Sequence, residues 1–123
     1  MRRRLLLVED DECVRTIARM SLERVGGWSV LESPCGEDAL QLLAAGEGFD
    51  AIVMDVMMPG LDGPATLRRA REDGLLASTP VVFLTAKAQR AEQERLMTLG
   101  AAGVIAKPFD PLQMPGELQA VIE

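Results

Sequence analysis

Histidine is missing from all 123 residues of this chain. That absence excludes serine–histidine and cysteine–histidine catalysis, histidine-ligated zinc, and any phosphohistidine formed on the chain itself. Cysteine is scarce. Cys13 and Cys35 are the only two, and they offer neither a metal-ligand spacing nor a framework of pairs. Both are expected to be free thiols with structural roles, as in a reducing compartment. Long apolar runs are lacking as well. No stretch approaches the roughly 20 apolar residues needed to span a bilayer, and the apolar part of residues 2–8 is too short for a signal peptide. A cytoplasmic protein without a membrane partner is the expectation. Positive charge is also in deficit, since 13 Lys and Arg stand against 19 Asp and Glu. The resulting net charge of −6 argues against a surface that holds nucleic acid. Arg2-Arg3-Arg4 runs against this trend and is expected to be a solubilising lead-in to a buried strand.

With 48% hydrophobic and 26% charged residues, the chain has the balance of a soluble globular protein rather than a disordered one. Its length suits one ordinary core. No repeat, low-complexity segment or linker divides it, so residues 1–123 are expected to form one domain.

Short apolar runs alternate with helical patterns throughout. Leu5–Val8, Trp28–Leu31, Ala51–Met54, Pro80–Leu84 and Gly103–Ala106 read as five strands. Several are apolar at every position, as in a parallel sheet covered on both faces. Val14, Ile17, Ala18, Ser21, Leu22 and Val25 form one helical stripe, closed by Gly26-Gly27. Further helices are predicted over Glu37–Ala45, from Asp62-Gly63-Pro64 to Glu72, over Gln89–Leu99, and from Pro115 onward. Five strand–helix units in strict alternation predict an α/β, three-layer, doubly wound parallel sheet with right-handed crossovers.

In such sheets functional groups gather at the carboxyl ends of the strands. Here those ends carry Glu9-Asp10, Asp55, Thr85 and Lys107. Carboxylates crowded beside apolar runs resist ionisation together. A divalent cation such as Mg²⁺ relieves that penalty, taking one or two carboxylates while accepting phosphate oxygens.

Four fragments now carry a resemblance. Leu-Leu-Val-Glu9-Asp10-Asp11, Val-Met-Asp55-Val-Met-Met58-Pro59-Gly-Leu-Asp62-Gly63, Leu-Thr85-Ala86-Lys and Ala-Lys107-Pro108-Phe109 together resemble response-regulator receiver domains of two-component phosphorelay systems. The match runs in order over essentially the whole chain. It implies the flavodoxin-like (βα)5 fold with strand order 2-1-3-4-5. It also implies a phosphorylation-dependent signalling switch rather than a turnover enzyme, in which Asp55 accepts a phosphoryl group from a partner's phosphohistidine. Glu9, Asp10, Asp55 and the backbone carbonyl of Met57 would hold Mg²⁺ or Mn²⁺. Lys107 would pair with the phosphoryl group, Thr85 would hydrogen-bond it, and the small Ala86 would leave access to Asp55. Met57 and Lys87 occupy positions that tune phosphoryl lifetime. The Lys107-Pro108 bond is expected to be cis. The implied partners are a histidine kinase or phosphotransfer protein, docked on the first helix (Cys13–Val25), and a second copy through the fourth helix, fifth strand and fifth helix.

One position departs from the pattern. Val104 stands where many receivers carry an aromatic residue that swings inward on activation, so the usual coupling to Thr85 is in question. The remaining singular residues are expected to pack: Met54, Met57 and Met58 around the third strand, Trp28 at a strand end, and Phe109 beside the proline turn.

Three other functions fit the same residues less well. A Mg²⁺-dependent phosphohydrolase with an aspartyl nucleophile usually carries it in an Asp-x-Asp pattern on the first strand, which Glu9-Asp10-Asp11 does not reproduce. A nucleotide-binding module needs glycines or hydroxyls after the first strand to cradle phosphate, and that turn is acidic here. A degenerate receiver acting only as a protein-binding scaffold would have no need of Asp10, Asp55, Thr85 and Lys107 together.

Overall fold

The apolar run that follows the arginines feeds two cores at once. In the computed structural model, which describes residues 2–87 and 89–123, that run is β1 (Arg4–Val8). Leu6 and Val8 point into one apolar cluster, Leu5 and Leu7 into another. The same division recurs in β3 (Ala51–Asp55) and β4 (Val81–Thr85). Ile52, Met54, Val81 and Phe83 enter the first cluster, while Ala51, Val53, Val82 and Leu84 enter the second. A central strand with both faces covered must be apolar at every position, which is why these runs do not alternate.

α1 (Glu12–Met20), α2 (Gly36–Ala44), α3 (Gly63–Glu72), α4 (Arg90–Thr98) and α5 (Met114–Ile122) supply the cover. Leu22, Met114 and Leu118 close the second cluster; Ala39, Leu43, Leu67 and Leu96 close the first. With β2 (Ser29–Ser33) and β5 (Gly103–Ala106), the strands form one parallel sheet of order β2-β1-β3-β4-β5. The predicted three-layer architecture and strand order are therefore observed.

Element ends shift by a residue or two, and several local features differ from expectation. β2 begins at Ser29 rather than Trp28 and runs on to Ser33, because Trp28 is buried beneath the arginines instead of pairing in the ladder. β2 is an edge strand with three exposed positions, so its apolar signal is weak. The first helix is not α-helical to its end. Its last turn (Ser21–Val25) widens to a π-helix, with Gly26 N–H donating to the Ser21 carbonyl and Trp28 N–H to that of Leu22. Arg3 is exposed and Arg4 half-buried ahead of the buried strand, as expected, but they do more than solvate it. Their guanidinium groups lie over the rings of Trp28 (4.2 Å) and Phe49 (4.9 Å), and Arg4 also bonds the Gly48 carbonyl and Glu47. The arginines cap the amino ends of the sheet. Finally, Met54 and Met58 are buried as expected, but Met57 is 66% exposed and packs into neither cluster. The two cysteines are free; Cys13 is exposed and so lies outside the core, contrary to the structural role expected of it, and Cys35 is half-buried.

Gly63 is the tightest joint between sheet and helix. Its N–H donates to the Val56 carbonyl at 3.0 Å as α3 begins. A Cβ at this position would collide with the Asp55 carbonyl oxygen, and would stand 2.9 Å from the Phe83 ring and 3.1 Å from the Val56 Cα. Two of these three neighbours are backbone atoms, which leaves little room to yield. Gly63→Ala is therefore expected to lower unfolding free energy by about 1–3 kcal/mol, read from urea denaturation; an unchanged midpoint would show that the joint relaxes freely.

Candidate functional site

Strand register assembles the site. Val8 pairs with Met54, so the next step up the ladder sets Glu9 beside Asp55. Asp55 pairs with Leu84, and Thr85 with Ala106. The Lys107 N–H then donates to the Thr85 carbonyl at 2.7 Å, which fixes where the lysine side chain departs. Four strands thus end in Glu9-Asp10, Asp55, Thr85 and Lys107 on one rim of the sheet. Asp11 leaves the rim and caps α1, accepting from the N–H groups of Cys13 and Val14. Asp62 does the same for α3 through the Ala65 N–H.

Oxygen atoms of Glu9, Asp10 and Asp55 lie within 4.8 Å of one another. Glu9 is fully buried and Asp55 is 4% exposed, whereas Asp10 faces solvent. Lys107 bridges the two buried acids, with Nζ 3.0 Å from Asp55 Oδ2 and 3.1 Å from Glu9 Oε1. One cation faces three carboxylates. Burial, reinforced by hydrogen bonding to and repulsion from Asp55, pushes the Glu9 carboxyl up to about 7 against the opposing pull of Lys107. Burial by itself would lower the Lys107 ammonium, yet hydrogen bonds and attraction from Asp55 and Glu9 hold it above the ordinary lysine range. Excess negative charge on hard oxygen ligands fits a divalent cation of the Mg²⁺ or Mn²⁺ type.

The other predicted positions surround this cluster. Thr85 is buried; its hydroxyl accepts from the Lys87 N–H at 3.0 Å and donates to the Lys87 carbonyl at 3.4 Å. The Met57 N–H donates to Asp55 Oδ1 at 3.4 Å, while the Met57 side chain stands in solvent. Ala86 and Lys87 are exposed at the rim. Val104 is half-buried against the cluster that contains Leu96 of α4. The Lys107-Pro108 bond is cis. Beside the acids an apolar groove of about 430 Å³ opens between Val14 and Ile17 of α1 and the Lys107–Phe109 turn, with Ala86 on its wall.

Two contacts left no signal in the sequence. Gly63, part of the second resembling fragment and of a helix start, also abuts the Asp55 carbonyl, which neither reading implies. Arg15 donates to the Glu9 carbonyl at 2.8 Å, and a bond to main chain has no residue-type signature at its other end.

A single parallel sheet with this acid, threonine and lysine rim defines a class. Residues 5–119 match the response regulator receiver domain model, and the chain belongs to that family. It is a receiver domain of the two-component type. Over 122 residues it is 34% identical to the alkaline phosphatase synthesis transcriptional regulatory protein PhoP of Bacillus subtilis, covering 99% of this chain and 49% of that protein. Over 118 residues it is 34% identical to the transcriptional regulatory protein CseB of Streptomyces coelicolor, covering 96% and 48%. The chain thus spans about half the length of the curated relatives it matches. Among solved structures, the chemotaxis response regulator CheY4 of Vibrio cholerae superposes with a TM-score of 0.89 at 28% identity, covering 98% of this chain and 99% of that one. The receiver domain of Francisella response regulator 1452 gives 0.80 at 25% identity, with 98% and 96% covered.

The crowded acids make a prediction about stability. A carboxyl whose folded pKa exceeds its unfolded value costs stability as pH rises, here from about 4.5 through about 7. Glu9→Gln is therefore expected to raise the melting temperature of metal-free protein by about 4 °C or more. The gain should be larger at about pH 8 than at about pH 5. Melting curves in EDTA check this, and equal or lower stability of the variant at high pH would contradict it.

Proposed function

We propose that residues 1–123 act as one receiver domain that accepts a phosphoryl group on Asp55 and relays it as a conformational signal. The observation that carries this reading is Lys107 held between the buried Asp55 and Glu9 at 3.0 and 3.1 Å. Glu9, Asp10, Asp55 and the Met57 backbone carbonyl would hold Mg²⁺ or Mn²⁺. When bound, the cation supplies charge neutralisation for the phosphoryl oxygens.

The remaining work falls to the chain's own residues. An Asp55 carboxylate oxygen attacks phosphorus, the phosphorus–nitrogen bond of the donor's phosphohistidine breaks, and an aspartyl phosphate forms. The donor is supplied by a histidine kinase or phosphotransfer protein, since this chain has no histidine. The groove beside α1, apolar and adjacent to Ala86 and Lys107, suits such a partner. Lys107 turns its ammonium to the phosphoryl oxygens. The Thr85 hydroxyl exchanges its local Lys87 contacts for a phosphoryl oxygen. No helix among the described residues is long and apolar enough to cross a membrane. The domain is expected to act in the cytoplasm, without contact to lipid or nucleic acid. Dimerisation through α4, β5 and α5 is the assembly expected of it.

Acetyl phosphate with Mg²⁺, followed by intact mass measurement, tests the central claim. One added phosphoryl group is expected in the wild type and none in Asp55→Asn. Failure of the wild type to gain it would leave only a binding scaffold. Exposed, apolar Met57 cannot hydrogen-bond an attacking water, so the aspartyl phosphate is expected to persist for minutes or longer. A half-life of a few seconds would contradict this.

Val104 generates a further prediction. Half-buried against the α4 side and unable to present an aromatic face, it leaves output to the loop after Thr85 and to α4. Structures with and without a phosphoryl mimic are expected to differ in that loop. An unchanged loop beside a rotated Val104 would sink the idea.

A further inference from the structure

Glu9 and Asp10 are neighbours in sequence, yet their carboxylates converge on one cluster. In an extended strand successive side chains point to opposite faces. Two adjacent residues can serve one site only if the backbone turns between them, and the chain does bend at Asp10. The last ladder bond before the bend is from the Glu9 N–H to the Ser33 carbonyl at 3.1 Å. Beyond it, the Asp11 N–H reaches Glu9 Oε2 at 3.3 Å, and Asp11 caps α1. The peptide joining Glu9 to Asp10 lies between these anchors, and its orientation decides where both carboxylates go.

Arg15 holds that peptide. From the first turns of α1 its Nη1 donates to the Glu9 carbonyl at 2.8 Å. Its Nε stands 3.5 Å from Glu32 Oε1, and Arg19 Nε stands 3.6 Å from Glu32 Oε2. Glu32 belongs to β2, paired with Leu7 of β1. A continuous polar chain thus runs from the sheet edge through α1 to the main chain of the acidic rim.

We infer that Arg15 is a positioning residue for the metal-binding acids, orienting the Glu9–Asp10 peptide while Glu32 orients Arg15. The inference rests on the Mg²⁺ reading of the cluster. It acts through geometry rather than charge, because the Arg15 cation is paired with Glu32 and its contact to the site is a carbonyl. A guanidinium presents separate N–H groups to the carbonyl and the carboxylate at once. A lysine ammonium carries the same charge as a single point, without that planar fork.

Mn²⁺ titration followed by electron paramagnetic resonance, with thermal unfolding of each protein, tests this on the full chain. Arg15→Ala is expected to weaken Mn²⁺ binding about tenfold, as loss of a partner behind metal ligands typically does. Arg15→Lys is expected to recover little of that loss. Glu32→Ala, which leaves Arg15 in place on an exposed edge, is expected to weaken binding by a smaller factor, and it serves if Arg15→Ala does not fold. In phosphorylation by acetyl phosphate, the Mg²⁺ concentration for half-maximal rate should rise while the rate at saturating Mg²⁺ stays near wild type. Folded Arg15→Ala or Glu32→Ala with wild-type Mn²⁺ affinity would overturn the inference, as would full recovery in Arg15→Lys. A wild type that binds no Mn²⁺ would instead overturn the metal reading itself.

Discussion

Two buried carboxylates, Glu9 and Asp55, share one ammonium from Lys107, and the rest of the rim is arranged around that shortage of positive charge. A buried acid with a complete partner is quiet. One with half a partner is poised to take whatever cation restores the balance. Lys107 brings the acids together without neutralising both, and burial, with Asp55 beside it, pushes the Glu9 carboxyl up in spite of the lysine. A second lysine in the cluster would have made a stable ion network with no reason to bind anything.

The sheet makes this affordable because its order puts the acids where neither core is disturbed. β1 and β3 are neighbours in the middle of the sheet, so Glu9 and Asp55 emerge side by side. β4 follows, then β5, which delivers Lys107 from beyond Thr85. Each of these strands is sealed on both faces almost to its last residue, and the polar atoms begin where the apolar clusters stop. Gly63 shows how little slack remains: α3 passes so near the Asp55 carbonyl that a methyl group does not fit. The chemistry of the rim is thus inherited from packing below it.

That dependence explains what could be read in the sequence. β1, β3 and β4 carry unbroken apolar runs because both faces are covered, and their ends carry the site, so the parallel sheet and its polar rim were legible together, whereas strand order and residue roles came with the family resemblance. β2 was legible as a strand but not in its bounds, since an edge strand with three exposed positions has no continuous run, and Trp28 beside it lies under Arg3 instead of pairing. Composition could assign Met57 to the core, but only the turn after β3 decides that its side chain points outward. The π-helical last turn of α1 depends on where Gly26 and Trp28 find carbonyl partners, which periodicity cannot express. Arg15 and Gly63 act on main-chain atoms, and main chain is the same in every sequence.

The readout is the part of the switch that composition altered. The Thr85 hydroxyl is already satisfied by the Lys87 main chain, accepting at 3.0 Å and donating at 3.4 Å. Drawing it to a phosphoryl group exchanges those bonds for a charge-assisted one, which is about twice as strong as a neutral hydrogen bond. Two neutral bonds given up for one of twice the strength leave a net change of no more than about 1 kcal/mol, enough at most to bias a loop and too little to unfold a helix. An aromatic side chain at position 104 would add the burial of a large ring to that bias. Val104 is already half-buried and changes little area by rotating. On the proposed reading, the free energy of signalling would come from Ala86 and Lys87 and from how α4, anchored in the core chiefly by Leu96, answers their movement.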